Sequence, residues 1–135
     1  MNDKNMKEHL RWLEQSKYDF DLANKLINTE FSFACFLFQQ SAEKIIVSYL
    51  VLKGSDKVWG SSISDLAEDC IPMDPTFDFL KSYGPILDKY LYSTRYPTYS
   101  ISGSPFQIFT KEDADKAKEI CEEVIKFCKE KLKEI

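Results

Sequence analysis

The chain has 135 residues, 44% of them hydrophobic, and a formal net charge of −4. This length and composition are typical of a single globular domain, residues 1–135, and exclude an intrinsically disordered chain. The acidic balance excludes the broadly basic surface of proteins that bind nucleic acids strongly, although it is compatible with a small local basic patch.

The sequence indicates a cytoplasmic protein. No apolar run approaches the roughly 20 residues that a membrane-spanning helix needs, and residues 1–15 are too polar for a signal peptide. The four cysteines, which are Cys35, Cys70, Cys121 and Cys128, form no Cys-x-x-Cys pair. We therefore expect free, buried thiols in a reducing compartment, without a redox or metal-binding role.

The first predicted helix covers residues 5–28. Its apolar side chains recur at intervals of three or four residues, with one wider gap, and so form a single stripe. This stripe consists of Met6, Leu10, Leu13, Phe20, Ala23 and Ile27. Asn28 and Thr29 interrupt the pattern and end the predicted helix.

The second predicted helix covers residues 30–53. Its first half, from Phe31 to Phe38, is apolar on nearly every side, which indicates a helix that is buried centrally or partly covered by a partner subunit. The second half is amphipathic. Lys53 followed by Gly54 provides a favourable helix end, because a cation and a residue that tolerates positive φ suit a helix C-terminus.

The segment that follows is mixed in character and contains one short predicted helix. This helix is expected to end at Cys70, because Pro72 and Pro75 follow it. Ser61 or Ser62 is suited to cap its N-terminus.

Residues 76–92 are predicted to form a third long helix. Gly84-Pro85 should kink or split it, because proline lacks the amide hydrogen that the helix needs. Residues 93–109 form a long loop, and loops of this length in compact domains are uncommon and often functional.

The last predicted helix covers residues 110–134. Thr110 and Asp113 resemble a capping box, with acidic residues in the first turns and lysines in the last ones. Four long amphipathic helices and one short helix in this order predict an all-α, antiparallel up-and-down bundle.

A polar string interrupts the apolar second helix and forms one candidate binding site. It contains Gln39, Gln40, Glu43 and Lys44, whose burial is costly unless the groups are paired. Gln40 shares a helix face with Glu43 and with Lys44, so these side chains could hold a ligand or the backbone of a partner. The alternative is that one side is solvated while the other caps neighbouring loops.

A second candidate site is Arg95-Tyr96-Pro97, at the start of the long loop. Pro97 biases Tyr96 toward an extended conformation, which presets the direction in which Arg95 leaves the third helix. The guanidinium fork of arginine suits a phosphate or a carboxylate. The alternative is that Arg95 pairs with an acid of the second or last helix while Tyr96 packs.

Catalytic and metal-binding patterns are missing from the sequence. His9 is the only histidine, and we expect it to be exposed on the surface. One imidazole cannot supply the Glu-x-x-His motifs of di-metal bundles, and nothing pairs with it as a nucleophile. Glycine-rich phosphate loops are also absent. We therefore predict no metal site, no cofactor and no catalytic residue.

Several motifs together resemble one known family. They are Trp12, Ser16, Asp19 and Ala23 in the first helix, Phe36, Gln39, Gln40, Glu43 and Lys44 in the second, Arg95, Tyr96 and Pro97 after the third, and Asp113-Ala114 in the last. In this order and spacing they resemble the HEPN domain family, the higher eukaryotes and prokaryotes nucleotide-binding domain. The resemblance runs over nearly the whole chain.

The resemblance implies an antiparallel helical bundle, usually a homodimer. Many members act beside a minimal nucleotidyltransferase in two-component or toxin–antitoxin systems. Members that are ribonucleases carry an arginine followed, after four to six residues, by a histidine. Counted from Arg95, that histidine would fall at Ser100, Ile101 or Ser102, so the general acid–base of these ribonucleases is missing here.

The resemblance thus implies a non-catalytic protein that binds a nucleotide or a nucleotidyltransferase partner. Its contacts are expected at Gln40, Glu43, Lys44, Arg95 and Tyr96. One alternative is a metal-independent, toxin-type ribonuclease that uses Arg95 with an unusual acid–base group from the loop or a tyrosine. Another is an interaction module whose dimer face is the apolar first half of the second helix.

Overall fold

The computed structural model describes residues 3–55, 58 and 62–134. Within these ranges the regular structure is entirely helical, which confirms the all-α prediction. The α-helices are α1 (Asp3–Leu26), α2 (Phe31–Leu52), α3 (Ile63–Cys70), α4 (Gly84–Asp88), α5 (Tyr90–Ser93), α6 (Pro105–Ile108) and α7 (Lys111–Lys133). Two 3₁₀ segments, Pro75–Ser82 and Pro97–Tyr99, complete the regular structure. None of the described helices is long and apolar enough to span a membrane.

Helix α2 lies at the centre of the bundle, and 16 of its 22 residues are buried. Its apolar first half is covered by other elements of the same chain. Of the two expectations for this segment, central burial and coverage by a partner subunit, this observation agrees with the first. Phe33 is the exception, with 43% of its surface exposed. A helix that is apolar on nearly every side is stable in water only when neighbours surround it in this way.

The helices alternate in direction around α2, as predicted for an antiparallel bundle. The ring of Tyr49 contacts Phe77 with 4.5 Å between centroids, and Phe77 in turn contacts Phe127 at 5.1 Å. At the other end of α2, the guanidinium of Arg95 lies 4.3 Å from the Phe36 ring centroid. The chain from Phe77 to Arg95 therefore runs antiparallel to α2, whereas α7 runs parallel to it.

The predicted third long helix is split into three short pieces. The expected break at Gly84 and Pro85 is confirmed, but a 3₁₀ helix precedes it instead of an α-helix. Gly84 also permits close packing, because a Cβ atom at this position would lie 2.1 Å from Oγ of Ser64. The close approach of Gly84 to Ser64 places α4 against α3. In this position the carboxylate of Asp88 accepts hydrogen bonds from the amides of Ile63 and Ser64, at 2.6 and 3.1 Å.

Side-chain caps define the starts of α3 and α7. The hydroxyl of Ser62 accepts a hydrogen bond from the amide of Asp65 at 3.0 Å, whereas the alternative cap, Ser61, lies outside the described residues. The predicted capping box of α7 is confirmed, since the Thr110 amide donates to Asp113 at 2.9 Å and the Asp113 amide donates to the Thr110 hydroxyl at 3.2 Å.

The four cysteines are free and buried, as predicted. Burial raises the pKa of Cys35, Cys70 and Cys121 to about 12. These thiols therefore stay protonated and unreactive at neutral pH, because the thiolate is the nucleophilic form.

His9 is buried, so the expectation that it is exposed on the surface was wrong. Only 6% of the residue is accessible, and Nδ1 lies 3.0 Å from the backbone oxygen of Ser48 in α2. The hydrogen bond satisfies one polar atom of the ring, which makes burial of the remainder tolerable. The sequence does not show which flank of α1 faces α2, so this contact could not be predicted.

Candidate functional site

A groove of about 470 Å³ opens between α2, the start of α3 and the end of α5. It is lined by Phe36, Gln40, Glu43, Ser62, Asp65, Leu91, Tyr92 and Arg95. The three residues from α2 are spaced by four and three positions and therefore lie on one helix face. Volumes of about 300–1,000 Å³ are typical of pockets for small ligands.

Arg95 stacks on aromatic rings at one side of this groove. Its guanidinium carbon lies 4.3 Å from the centroid of Phe36, 5.1 Å from that of Tyr96 and 5.7 Å from that of Tyr92. Such cation–π contacts hold the planar group against the rings and fix its orientation.

The guanidinium of Arg95 keeps hydrogen-bonding capacity toward the groove. Nε and Nη2 donate to the backbone oxygen of Leu91, at 3.0 and 2.6 Å. Arginine has five N–H donors, so three have no partner among the described residues. Within the same part of the chain, no carboxylate forms an ion pair with Arg95. The expected alternative, pairing with an acid of another long helix, is therefore not found among the described residues.

Tyr96 lies beside Arg95 but does not line the groove. The residue is 48% exposed, and its backbone is extended, with φ −123° and ψ 123°, as the following proline predicts. Next to it, the rings of Tyr92 and Tyr99 stack with 6.1 Å between centroids. Tyr96 thus supports the guanidinium from outside the groove.

Gln40 is held in place by a chain of hydrogen bonds along α2. Its Nε2 donates to Oε1 of Gln39 at 2.8 Å and to Oε2 of Glu43 at 3.2 Å, and its Oε1 accepts from Lys44 at 3.3 Å. Nε2 of Gln39 is buried and has no hydrogen-bond partner within the described residues. The amide of Gln40 therefore orients Glu43 at the floor of the groove.

Glu43 is a buried carboxyl group with a neutral-range pKa. Only 7% of the residue is exposed, and this burial raises the pKa to about 7. Lys44 and the hydrogen bond from Gln40 partly offset the effect of burial, whereas the nearby carboxylates of Asp88 and Asp19 add to it. Both protonation states of Glu43 are therefore accessible near neutral pH, and the group can donate or accept a hydrogen bond.

Lys44 is the one predicted contact residue that the structure places away from both Arg95 and the groove. Its ammonium group forms an ion pair with Asp19 of α1, and Asp19 also accepts a hydrogen bond from Nε2 of Gln15 at 3.0 Å. The side chains of Lys44 and Asp19 are only 19% and 7% exposed. This pair joins α1 to α2.

The structure therefore brings together Gln40, Glu43 and Arg95, with Tyr96 adjacent. It adds Phe36, Ser62, Asp65 and Leu91, which the sequence-based site did not include, and Tyr92 also lines the groove. Phe36 could have been found from the sequence, because it precedes Gln40 by four positions on the same helix. Asp65 could not, because its position depends on how α3 packs.

The chain is similar to HEPN proteins in sequence and in structure. A family model for the HEPN domain matches residues 9–132. The solved structure of TT1696 from Thermus thermophilus is 31% identical, with a TM-score of 0.83 and coverage of 91% of this chain and 97% of that one. Among curated proteins, none matches.

Two further solved structures show the same arrangement of helices. ST0689, an archaeal HEPN homologue, is 29% identical, with a TM-score of 0.72 and coverage of 91% of this chain and 96% of that chain. An HEPN domain protein from Thermotoga maritima is 25% identical, with a TM-score of 0.72 and coverage of 93% and 99%. The likeness thus includes nearly the full length of all three relatives.

The raised pKa of Glu43 predicts a specific pH dependence of stability. Between the unfolded and the folded pKa, the native protein binds more protons than the unfolded chain, so the free energy of unfolding falls as pH rises from about 5 to 8. Glu43→Gln removes this titration and keeps an acceptor for Gln40. Relative to wild type, the variant should gain about 2 kcal/mol of stability over that pH range.

Urea denaturation of both proteins at the two ends of this range measures the effect. Glu123→Gln, on the exposed face of α7, controls for the loss of one negative charge. Parallel pH profiles for wild type and Glu43→Gln would contradict the prediction.

Proposed function

Because the chain belongs to the HEPN domain family, we propose that it is the non-catalytic helical component of a two-component system with a minimal nucleotidyltransferase, and that its groove binds a nucleotide. The observation that carries this proposal is the guanidinium of Arg95. It lies on an aromatic platform at the edge of the groove, with no carboxylate paired to it among the described residues.

A phosphate group is the ligand chemistry that Arg95 suits best. Three N–H donors in a planar fork match two oxygens of a phosphate, and charge-assisted hydrogen bonds of this kind are stronger than neutral ones. The rings of Phe36 and Tyr92 line the same groove and offer apolar faces on which a nucleobase can stack. Gln40 and Glu43 supply polar groups that can contact the base or the sugar.

The environment of Arg95 supports a binding role without catalysis. Of the three positions where a ribonuclease of this family would carry histidine, none lines the groove. The hydroxyl of Ser100 donates to the backbone oxygens of Pro97 and Gly103 at 3.1 and 3.2 Å, so its hydrogen is engaged within the loop. Serine is in addition a poor general acid–base at neutral pH.

Two variants, each of which replaces one arginine, test the binding site. Arg95→Ala should remain folded and bind its nucleotide roughly 10- to 100-fold more weakly, because charge-assisted hydrogen bonds are lost. Arg11→Ala is the matched control, since Arg11 is an exposed arginine on α1 that pairs with Glu8. Calorimetric titration with a panel of adenine and guanine nucleotides measures both. Equal affinities for the Arg95 variant and wild type would refute the site.

We also propose that the protein is a homodimer that contacts its second copy through an exposed aromatic surface. This surface consists of Phe33, Tyr92, Tyr96 and Tyr99, which flank the groove and are each more than 40% exposed. Phe33 contacts Phe36, with 6.0 Å between ring centroids, so the surface is continuous with the platform beneath Arg95. Exposed aromatic groups of this kind are enriched at protein interfaces.

The dimer proposal predicts that Phe33→Glu is monomeric, because burying an unpaired charge in an interface is unfavourable. Light scattering of wild type should give twice the chain mass, and the variant should give the chain mass alone. Tyr18→Glu, on α1, is the matched control because Tyr18 is also exposed but lies on another helix, and it should stay dimeric. A monomeric wild-type protein would contradict the proposal directly.

One observation favours a metal-independent ribonuclease as the second candidate. Glu43, with a pKa near 7, lines the same groove as Arg95, so a proton-transfer group and a phosphate-binding group face one ligand. Incubation of the purified protein with varied RNAs in the presence of a chelator separates the candidates. Cleavage that disappears in both Arg95→Ala and Glu43→Gln would establish the ribonuclease. RNA that stays intact would reject the ribonuclease and leave nucleotide binding as the proposed function.

A further inference from the structure

Two carboxyl groups share the groove with Arg95, and they differ in exposure. Asp65 is exposed on the first turn of α3, so water screens its charge. Glu43 is almost fully buried at the floor of the groove, where a negative charge interacts strongly with any anion nearby. Of the two carboxyl groups that line the groove with Arg95, Glu43 is therefore the one that water screens less.

The charged groups around Glu43 come from every element that packs against it. Lys44 follows it on α2, but the ammonium group is already paired with Asp19 of α1. Asp88 of α4 faces it as well and is bound to the amides of α3. Among the described residues, Asp65 and Arg95 are the other charged groups that line the groove with Glu43. Lys44 is neutralised locally, so Arg95 is the groove cation that a ligand anion would contact.

We infer that anion binding at Arg95 is coupled to proton uptake by Glu43, so that the groove binds anions more tightly as the pH falls. This inference rests on the proposed nucleotide-binding function of the same groove. When the anion neutralises Arg95, an ionised Glu43 would face a negative ligand in a buried position, and protonation from solvent removes that repulsion. The neutral carboxyl group can then donate its hydrogen to an oxygen of the ligand.

The raised pKa of Glu43 places this proton uptake in the neutral range. If anion binding raises that pKa by about one unit, affinity falls roughly fivefold from about pH 6 to about pH 8. Glu43→Gln carries no titrating group at this position but keeps the acceptor for Gln40. Its affinity should therefore be independent of pH over this range.

Calorimetric titration with cyclic AMP and cyclic GMP tests the coupling, because their phosphodiester keeps one negative charge throughout this pH range. Wild type, Glu43→Gln and Asp65→Asn are compared at about pH 6 and about pH 8, in two buffers that differ in ionisation enthalpy. Asp65→Asn is the matched control, since it removes the exposed carboxylate from the same groove. The expected result is a fivefold pH effect with proton uptake in wild type and Asp65→Asn, and no pH effect in Glu43→Gln.

The remaining outcomes separate this inference from the function on which it rests. Binding by wild type that does not change with pH would overturn the proton coupling and leave the nucleotide site standing. A pH effect that persists in Glu43→Gln would also overturn the role of Glu43. Absence of binding by all three proteins, for both nucleotides and at both pH values, would overturn the nucleotide site and the coupling together.

Discussion

A helix at the centre of a bundle loses stability for each buried polar group that has no partner, and α2 carries a string of polar side chains. Ser41 is bonded reciprocally to α1: its hydroxyl donates to the backbone oxygen of Ser16 at 2.8 Å, and the Ser16 hydroxyl donates to that of Ser41 at 2.7 Å. Lys44 pairs with Asp19 on the same side. These contacts fix the register of α1 on α2, because an unpaired buried polar group costs about 1–3 kcal/mol.

On the side of α2 that faces away from α1, the polar side chains are bonded within α2 and, among the described residues, not to another helix. There Gln40 and Glu43 are bonded to each other and to neighbours on α2, which leaves the carboxyl group of Glu43 at the groove floor. The segment predicted as the third long helix brings Arg95 to the same groove. Because this segment breaks before Gly84, its last helix, α5, ends where Arg95 can contact Phe36. One short polar string thus joins α2 to α1 on one face and lines the groove on the other.

The two basic residues expected to bind a ligand have separate surroundings for a physical reason. The flexible stem of Lys44 lets its ammonium group reach a carboxylate on the adjacent helix, so its charge is neutralised within the bundle. The guanidinium of Arg95 instead lies over aromatic rings, which contact it without neutralising its charge. The groove therefore contains both the guanidinium of Arg95 and the buried carboxyl group of Glu43.

The sequence by itself determined the helical class and the ends of the three longest helices, α1, α2 and α7, to within two residues. Apolar periodicity and caps such as Thr110 are local properties, so they can be recognised without knowing the fold. The motifs around Gln40, Glu43 and Arg95 also identified three of the eight residues that line the groove. Only the tertiary structure decided that His9 is buried, that Lys44 pairs with Asp19 and that Asp65 and Tyr92 line the groove. Each of these depends on which helix faces meet, and that is set by the packing of elements distant in sequence.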